Sequence, residues 1–178
     1  MARIRPLEFE QVDPVARAEL DAQVAAGGRV TNMKRTLAHS PTALHALMQW
    51  YPLRDAVLLF LGRRLTVLFA HAVSTQTDCL ICSTFFRRMI LEAGENPDAL
   101  SMDEREQAVI EYGRQLARDA NAVSDALYER LARHLQPDQI VTLTAFGGLM
   151  IATNLFNNAL KVDLDDYLQP YRKTGGGE

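Results

Sequence analysis

The sequence predicts an all-α fold, a single-domain bundle of about seven or eight helices. Helix-start signals recur along the chain, and apolar residues follow them at helical spacing. No segment shows the alternating pattern of strands joined by hairpin turns. The chain has 178 residues, of which 48% are hydrophobic, enough for one core that needs no disulfide. We place the domain at residues 1–172 and expect a disordered, glycine-containing tail at 173–178.

The first helices are predicted from proline-containing starts. Asp13–Pro14 supplies an N-cap followed by a first-turn proline, and Gly27–Gly28 ends that helix. Ser40–Pro41 repeats the start signal, and leucines then recur at helical spacing. The next helix is predicted from the apolar segment Val57–Val73, whose large side chains share one face.

The later helices are also predicted from start and end signals. Asp78 is predicted to cap the next helix and Gly94 to close it. Ser101–Glu104 matches a capping box, and Ser124 precedes a short amphipathic helix. Pro137–Leu160 is apolar over a wide arc, so this helix is buried either inside the domain or against a second copy. We expect a homo-oligomer.

Composition and charge restrict the partners. The formal net charge is -3, which leaves no basic excess for binding nucleic acid. The N-terminal residues lack an apolar leader segment, and charged residues interrupt every apolar run. We therefore expect a cytoplasmic protein that binds neither nucleic acid nor a membrane.

The two cysteines, Cys79 and Cys82, are the chemically most informative residues. Their (i, i+3) spacing at a helix start puts both thiols on one helical face, close enough to form a disulfide. Unpaired N–H groups at a helix N-terminus favour the thiolate that redox chemistry requires. The alternatives are two small buried core residues, or half of a zinc site. Because the four histidines show no pairing at ligand spacing, we expect no metal and no cofactor.

The order of these segments resembles the alkylhydroperoxidase D-like (AhpD-like) and carboxymuconolactone decarboxylase-like superfamily. Arg64–Leu68 leads through Ala72–Ser74 into the Cys-x-x-Cys pair and then Ala93–Gly94, as in the core of that superfamily. The flanking segment Thr36–Pro41 and the downstream asparagines near residue 157 are also similar. The resemblance covers residues 30–165, and its specificity comes from the combined order of the segments.

The resemblance implies an all-helical AhpD-like domain, homo-oligomerisation and, in the redox branch, a peroxidase or disulfide reductase. The motif thiols correspond to Cys79 and Cys82, and the second is the one that attacks peroxide in the family. Two positions depart from the redox branch, since its relay histidine is replaced by Phe86 and its relay glutamate by Val67. His71, one turn after Val67, is the candidate replacement.

We therefore predict a thiol–disulfide oxidoreductase, specifically an alkylhydroperoxidase-like peroxidase with Cys79, Cys82 and His71 as its catalytic residues. Its substrate would be a hydroperoxide or a disulfide, and its reductant is not indicated by the sequence. The first alternative is a catalytically degenerate member of the superfamily that acts in binding or assembly. The second is a lyase like carboxymuconolactone decarboxylase, although that branch does not use a cysteine pair.

Overall fold

The computed structural model describes residues 1–173 and confirms the all-α fold, since these residues contain helices and no strand. The α-helices are α1 Pro14–Ala25, α2 Asn32–Leu37, α3 Pro41–Met48, α4 Pro52–Gln76, α5 Leu80–Glu92, α6 Glu104–Asp119, α7 Asp125–Ala132 and α8 Pro137–Leu160. Short 3-10 helices lie at Phe9–Gln11, Ala120–Ala122 and Asp166–Tyr171. All but the first residue of the predicted tail, 173–178, lies outside the described residues.

Three of the eight α-helices of residues 1–173 begin at the N-cap that the sequence predicts. The side chains of Asp13, Ser40 and Ser124 each accept a backbone N–H bond at the first turn of their helices. The predicted capping box of α6 is displaced, because Asp103 rather than Ser101 is the N-cap and Glu106 completes the box. Asp and Ser are equally good caps, so residue type alone does not distinguish Asp103 from Ser101.

Helix α4 lies at the centre of the fold and packs against α5, α6 and α8. It is interrupted at Gly62, whose φ of 73° and ψ of 169° are not helical. Glycine is the residue that adopts a positive φ without a steric penalty. The uninterrupted part of α4 that follows Gly62 leads directly to the cysteines.

The apolar core has two parts. The central cluster is formed mainly by α4, α6 and α8, around Phe69, Val73 and Leu143. The N-terminal cluster joins α1, α2 and α3 to the start of α5, and it contains both Cys79 and Cys82. The cysteine pair therefore lies where the first three helices close over one end of the α4–α5–α8 core.

Two segments are long and apolar enough to cross a membrane by length and composition alone, one ending with α4 and the other being α8. In the fold both contribute to the central cluster, and about half of each window is buried. Core helices of globular domains have this character. The cytoplasmic location stays a prediction.

Candidate redox site

The turn between α4 and α5 presents the cysteine pair. The N–H of Cys79 bonds to the carbonyl of Ser74 at 3.0 Å, and the N–H of Asp78 bonds to Thr75 at 3.2 Å. This is the hydrogen-bond pattern of a Schellman motif, with Asp78 in the left-handed conformation at φ 51°. Asp78 is therefore not the predicted cap of α5. It ends α4, and Cys79 itself is the N-cap residue of α5.

Three asparagines of α8 hold this turn. Asn154 donates to the hydroxyl of Thr77 at 2.8 Å and lies 3.5 Å from that of Ser74. Asn158 donates to the carbonyl of Thr77 at 2.7 Å. Asn157, one helical turn after Asn154, points at the cysteines. The end of α8 thus fixes the backbone from which the thiols project.

The two thiols share one donor. The Asn157 Nδ2 lies 3.3 Å from the Sγ of Cys82 and 3.9 Å from the Sγ of Cys79. Both cysteines are unpaired and buried, with Cys79 exposing none of its surface and Cys82 exposing 7%. The Oδ1 of Asn157, in a side chain that is only 3% exposed, has no hydrogen-bond partner. Both sulfurs thus lie within reach of one amide that still has an unused acceptor.

The electrostatics of the pair favour one thiolate. The hydrogen bond with Cys82 is the main cause that lowers the pKa of Cys79 to about 7, against the opposing effect of burial. Nearby backbone N–H groups and the Asn157 amide lower it further, although no N–H forms a regular cap bond to the sulfur. Hydrogen bonding to Cys79, together with burial, raises the pKa of Cys82 well above its usual value. The pair therefore loses its first proton easily and its second only with difficulty.

Tyr51 packs against the N-terminal cluster that contains Cys82. Burial, and secondly the charge of Cys82, raise the pKa of Tyr51 to about 12. The ammonium of the buried Lys34 lies 5.8 Å from the centroid of the Tyr51 ring. The Tyr51 hydroxyl thus stays protonated at neutral pH beside the second thiol.

An open pocket of about 410 Å³ reaches Cys79 but not Cys82. Its walls comprise the N-terminus, the start of α5, the end of α8 and the segment that follows, and they include Leu80, Ile81, Asn157, Asn158, Val162 and Leu164. The pocket is also lined by Asp78 and Lys161, the only non-glycine residues of the described chain with positive φ, at 51° and 50°. Strained backbone of this kind tends to concentrate at functional sites.

The structure also places the two relay positions and the candidate histidine. Val67 and Phe86 pack in the central cluster. His71 is partly buried, and burial followed by the charge of Arg87 lowers its pKa to about 4. In residues 1–173 no hydrogen bond joins the His71 ring to either sulfur, so its catalytic role stays a prediction. Within the same residues no group of three or more His, Cys, Asp or Glu side chains could hold a metal.

Asn157 and Tyr51 are not among the site residues that the sequence predicts. The asparagines near the end of α8 were a visible signal, but capping is the commoner use of such residues. Tyr51 carried no signal, since a tyrosine before a helix is usually a packing residue.

The fold has known relatives among solved structures. No family model matches the chain, and neither does any curated protein sequence. An uncharacterised peroxidase-related protein from Ralstonia eutropha, described as an alkylhydroperoxidase AhpD core, superposes with a TM-score of 0.72 at 19% identity, covering 94% of each chain. The debrominase Bmp8 superposes at 0.77 and 14% identity, covering 94% of this chain and 95% of its own.

A peroxidase-related protein from a Silicibacter species superposes at 0.68 and 17% identity, covering 94% of this chain and 96% of its own. At these identities the likeness concerns the fold. The chain therefore has the fold of the AhpD-like superfamily.

Proposed function

We propose that this protein is a thiol–disulfide oxidoreductase in which Cys79 and Cys82 cycle between a dithiol and a disulfide. The observation that carries the proposal is the single Asn157 amide within hydrogen-bonding reach of both sulfurs. An amide donor stabilises a thiolate more than a thiol, because hydrogen bonds to charged acceptors are stronger. One sulfur can then attack a substrate and the other can resolve the adduct.

A hydroperoxide is the oxidant that the superfamily resemblance suggests, and the names of two neighbours, peroxidase-related proteins, support it. The chain lacks the relay glutamate and histidine, whose positions hold Val67 and Phe86 in the central cluster. General acid or base assistance is worth about 10²- to 10⁴-fold in rate. We therefore expect peroxide reduction to be slow. An external dithiol is required to return the disulfide to the dithiol.

The test is a thiol count on the reduced protein after limited tert-butyl hydroperoxide or oxidised glutathione. We expect two thiols to be lost per chain with a mass decrease of about 2 Da, as an internal disulfide requires. Cys79→Ser and Cys82→Ser should each abolish that disulfide. Thiols that resist both oxidants in the folded protein, yet titrate fully after denaturation, would overturn the proposal.

The complete burial of Cys79 favours a second candidate function, a degenerate member that binds or assembles without catalysis. The same titration separates the two, since a purely structural pair would stay reduced. Self-association is also a proposal. It rests on the outward residues Val141 and Leu155 of α8, which are 68% and 66% exposed, and light scattering coupled to gel filtration tests it.

A further inference from the structure

Three independent features meet at the pocket beside Cys79. The first is the sulfur itself, at the N-terminus of the 13-residue helix α5. The second is the Asn157 Oδ1, a buried acceptor without a partner, in a side chain that lines the pocket. The third is the pair of strained residues, Asp78 and Lys161, on the pocket walls. A cavity that combines a thiol, an unused acceptor and strained walls has the character of a binding site.

We propose that Cys79, rather than Cys82, is the sulfur that exchanges with an external partner in this pocket, and that the partner is an amide-bearing disulfide such as a cystine-containing peptide. The proposal rests on the proposed function and deepens it by assigning the two thiols and the substrate class. The superfamily resemblance implies the opposite order, with Cys82 attacking first.

The geometry distinguishes the two thiols. Cys79 lines the pocket, whereas Cys82 does not and instead faces Tyr51 inside the N-terminal cluster. The lowered pKa of Cys79 adds that its thiolate is well populated at neutral pH, while Cys82 holds its proton. Because Cys79 exposes no surface at rest, exchange requires a movement of the pocket wall that uncovers its sulfur.

A disulfide substrate and a peroxide substrate differ in the group that leaves when the thiolate attacks. Attack on a disulfide releases a thiolate, whose conjugate acid has a pKa of about 8.5 and which departs without an acid catalyst. Attack on a peroxide releases a far more basic oxygen, which needs a proton donor. In the described structure neither a carboxylate nor an imidazole bonds to either sulfur, and the weak acid Tyr51 lies by Cys82. The unpaired Asn157 Oδ1 offers a place for an N–H group of the substrate.

The exchange proceeds in two steps. The Cys79 thiolate attacks one sulfur of the external disulfide, forming a mixed disulfide and releasing the other substrate sulfur as a thiolate, which takes up a proton. Cys82 then attacks the Sγ of Cys79 and breaks the mixed disulfide, and its proton passes to the departing substrate sulfur, which leaves as the second thiol. The external disulfide is thereby reduced by two electrons and the Cys79–Cys82 pair is oxidised, and an external dithiol reverses the change.

Single-cysteine variants test the assignment. Cys82→Ser retains Cys79 next to a hydroxyl donor, and Cys79→Ser retains Cys82. With oxidised glutathione at pH 7, we expect Cys82→Ser to form the mixed disulfide at least about fivefold faster, because Cys79 lines the pocket and because raising a thiol pKa from about 7 by one unit lowers its thiolate fraction at pH 7 from about a half to about a tenth. A faster reaction of Cys79→Ser would overturn the assignment while leaving the proposed function intact. If neither variant reacts and the wild-type pair is not oxidised, the proposed function fails with it.

The pocket is tested separately. Leu80→Trp, which enlarges a side chain at the pocket wall, should slow adduct formation in Cys82→Ser at least severalfold. Leu59→Trp is the matched control, because Leu59 is 89% exposed and lies outside the pocket. Equal rates in the two tryptophan variants would overturn the assignment of the pocket.

A measurement on the wild-type protein identifies the reactive cysteine without any substitution that could disturb folding. Limiting iodoacetamide at pH 7 followed by peptide mapping should place the label on Cys79. Preferential labelling of Cys82 would overturn the proposal.

Discussion

The two ends of the chain segment that carries the cysteines use the same backbone motif with different residues. At the end of α4 the left-handed position is Asp78, and at the end of α5 it is Gly94, with φ of 51° and 81°. The α5 end shows the matching bonds, from Glu95 to Ile90 at 3.1 Å and from Gly94 to Leu91 at 2.9 Å. Both turns are Schellman motifs, so only the residue at the left-handed position and its surroundings differ.

The two turns differ in how the residue with positive φ is accommodated. Gly94 adopts a positive φ freely, and a Cβ added there would meet no atom within 4 Å. Asp78 adopts it with a side chain, beside the candidate site, and the three asparagines of α8 bond to that turn and its cysteines. The cysteine turn therefore depends on tertiary contacts that the Gly94 turn does not need.

The largest effect is expected from Asn154→Ala. This fully buried side chain donates to Thr77, so its removal deletes a buried hydrogen bond and leaves a small cavity. We expect a loss of about 2–3 kcal/mol in the free energy of unfolding, measured by urea denaturation. Asn158→Ala is the control, because Asn158 is exposed and should cost about 1 kcal/mol or less. Equal losses would contradict a buried anchor at Asn154.

The next effect concerns the thiols. Asn157→Leu removes the only side-chain amide that bonds to both sulfurs in the described structure. The pKa of Cys79, now about 7, should rise. Iodoacetamide alkylation at pH 7 should slow about fivefold if the rise is about one unit, because the thiolate fraction falls from about a half to about a tenth. The pH profile of alkylation measures the midpoint directly, and an unchanged midpoint would show that the amide does not support the thiolate. Asn121→Leu is the matched control, because Asn121 is exposed and lies outside the pocket.

Gly94→Ala tests the turn at the end of α5. A Cβ finds open space there, so the whole cost should come from the left-handed backbone. We expect a loss of about 1 kcal/mol by thermal or urea unfolding, with thiol reactivity unchanged. A loss near zero would indicate that the turn relaxes to another conformation.

Asp78→Gly gives the turn at the end of α4 a glycine at its left-handed position, as the turn at the end of α5 has. Relief of the strained φ is partly offset by the greater freedom of glycine in the unfolded chain, so we expect a gain of only about 0.5 kcal/mol. Asp78→Ala, which removes the side chain but keeps the Cβ, serves as the control and should not stabilise. Destabilisation by Asp78→Gly would show that the aspartate makes a contact of its own.

The smallest effect on the thiols is expected from His71→Gln. Since no bond joins His71 to either sulfur in the described structure, alkylation and disulfide formation should be unchanged. The substitution should act on stability instead. The pKa of His71 is lowered to about 4 from about 6.5, so the unfolded chain binds the additional proton and stability falls on acidification through that window. His71→Gln should weaken this pH dependence, whereas slower thiol chemistry would restore its catalytic role.

Much of the fold could be predicted from local signals. The N-caps Asp13, Ser40 and Ser124, and the terminator Gly94, lie where their residue types indicate. The role of Asp78 was wrong, because an aspartate satisfies the preferences of both a helix start and a left-handed helix end. Helix α2 was too short, at six residues, for its periodicity to be read as a separate element.

The sequence alone determined the all-α fold and the presence of two thiols three positions apart, because caps and helical periodicity act between near neighbours in the chain. Only the tertiary structure decided what surrounds those thiols. Asn157 reaches Cys79 across 78 positions, and the pocket joins the start of α5 to the end of α8. Such contacts depend on how α8 packs against α4 and α5, which no local pattern encodes.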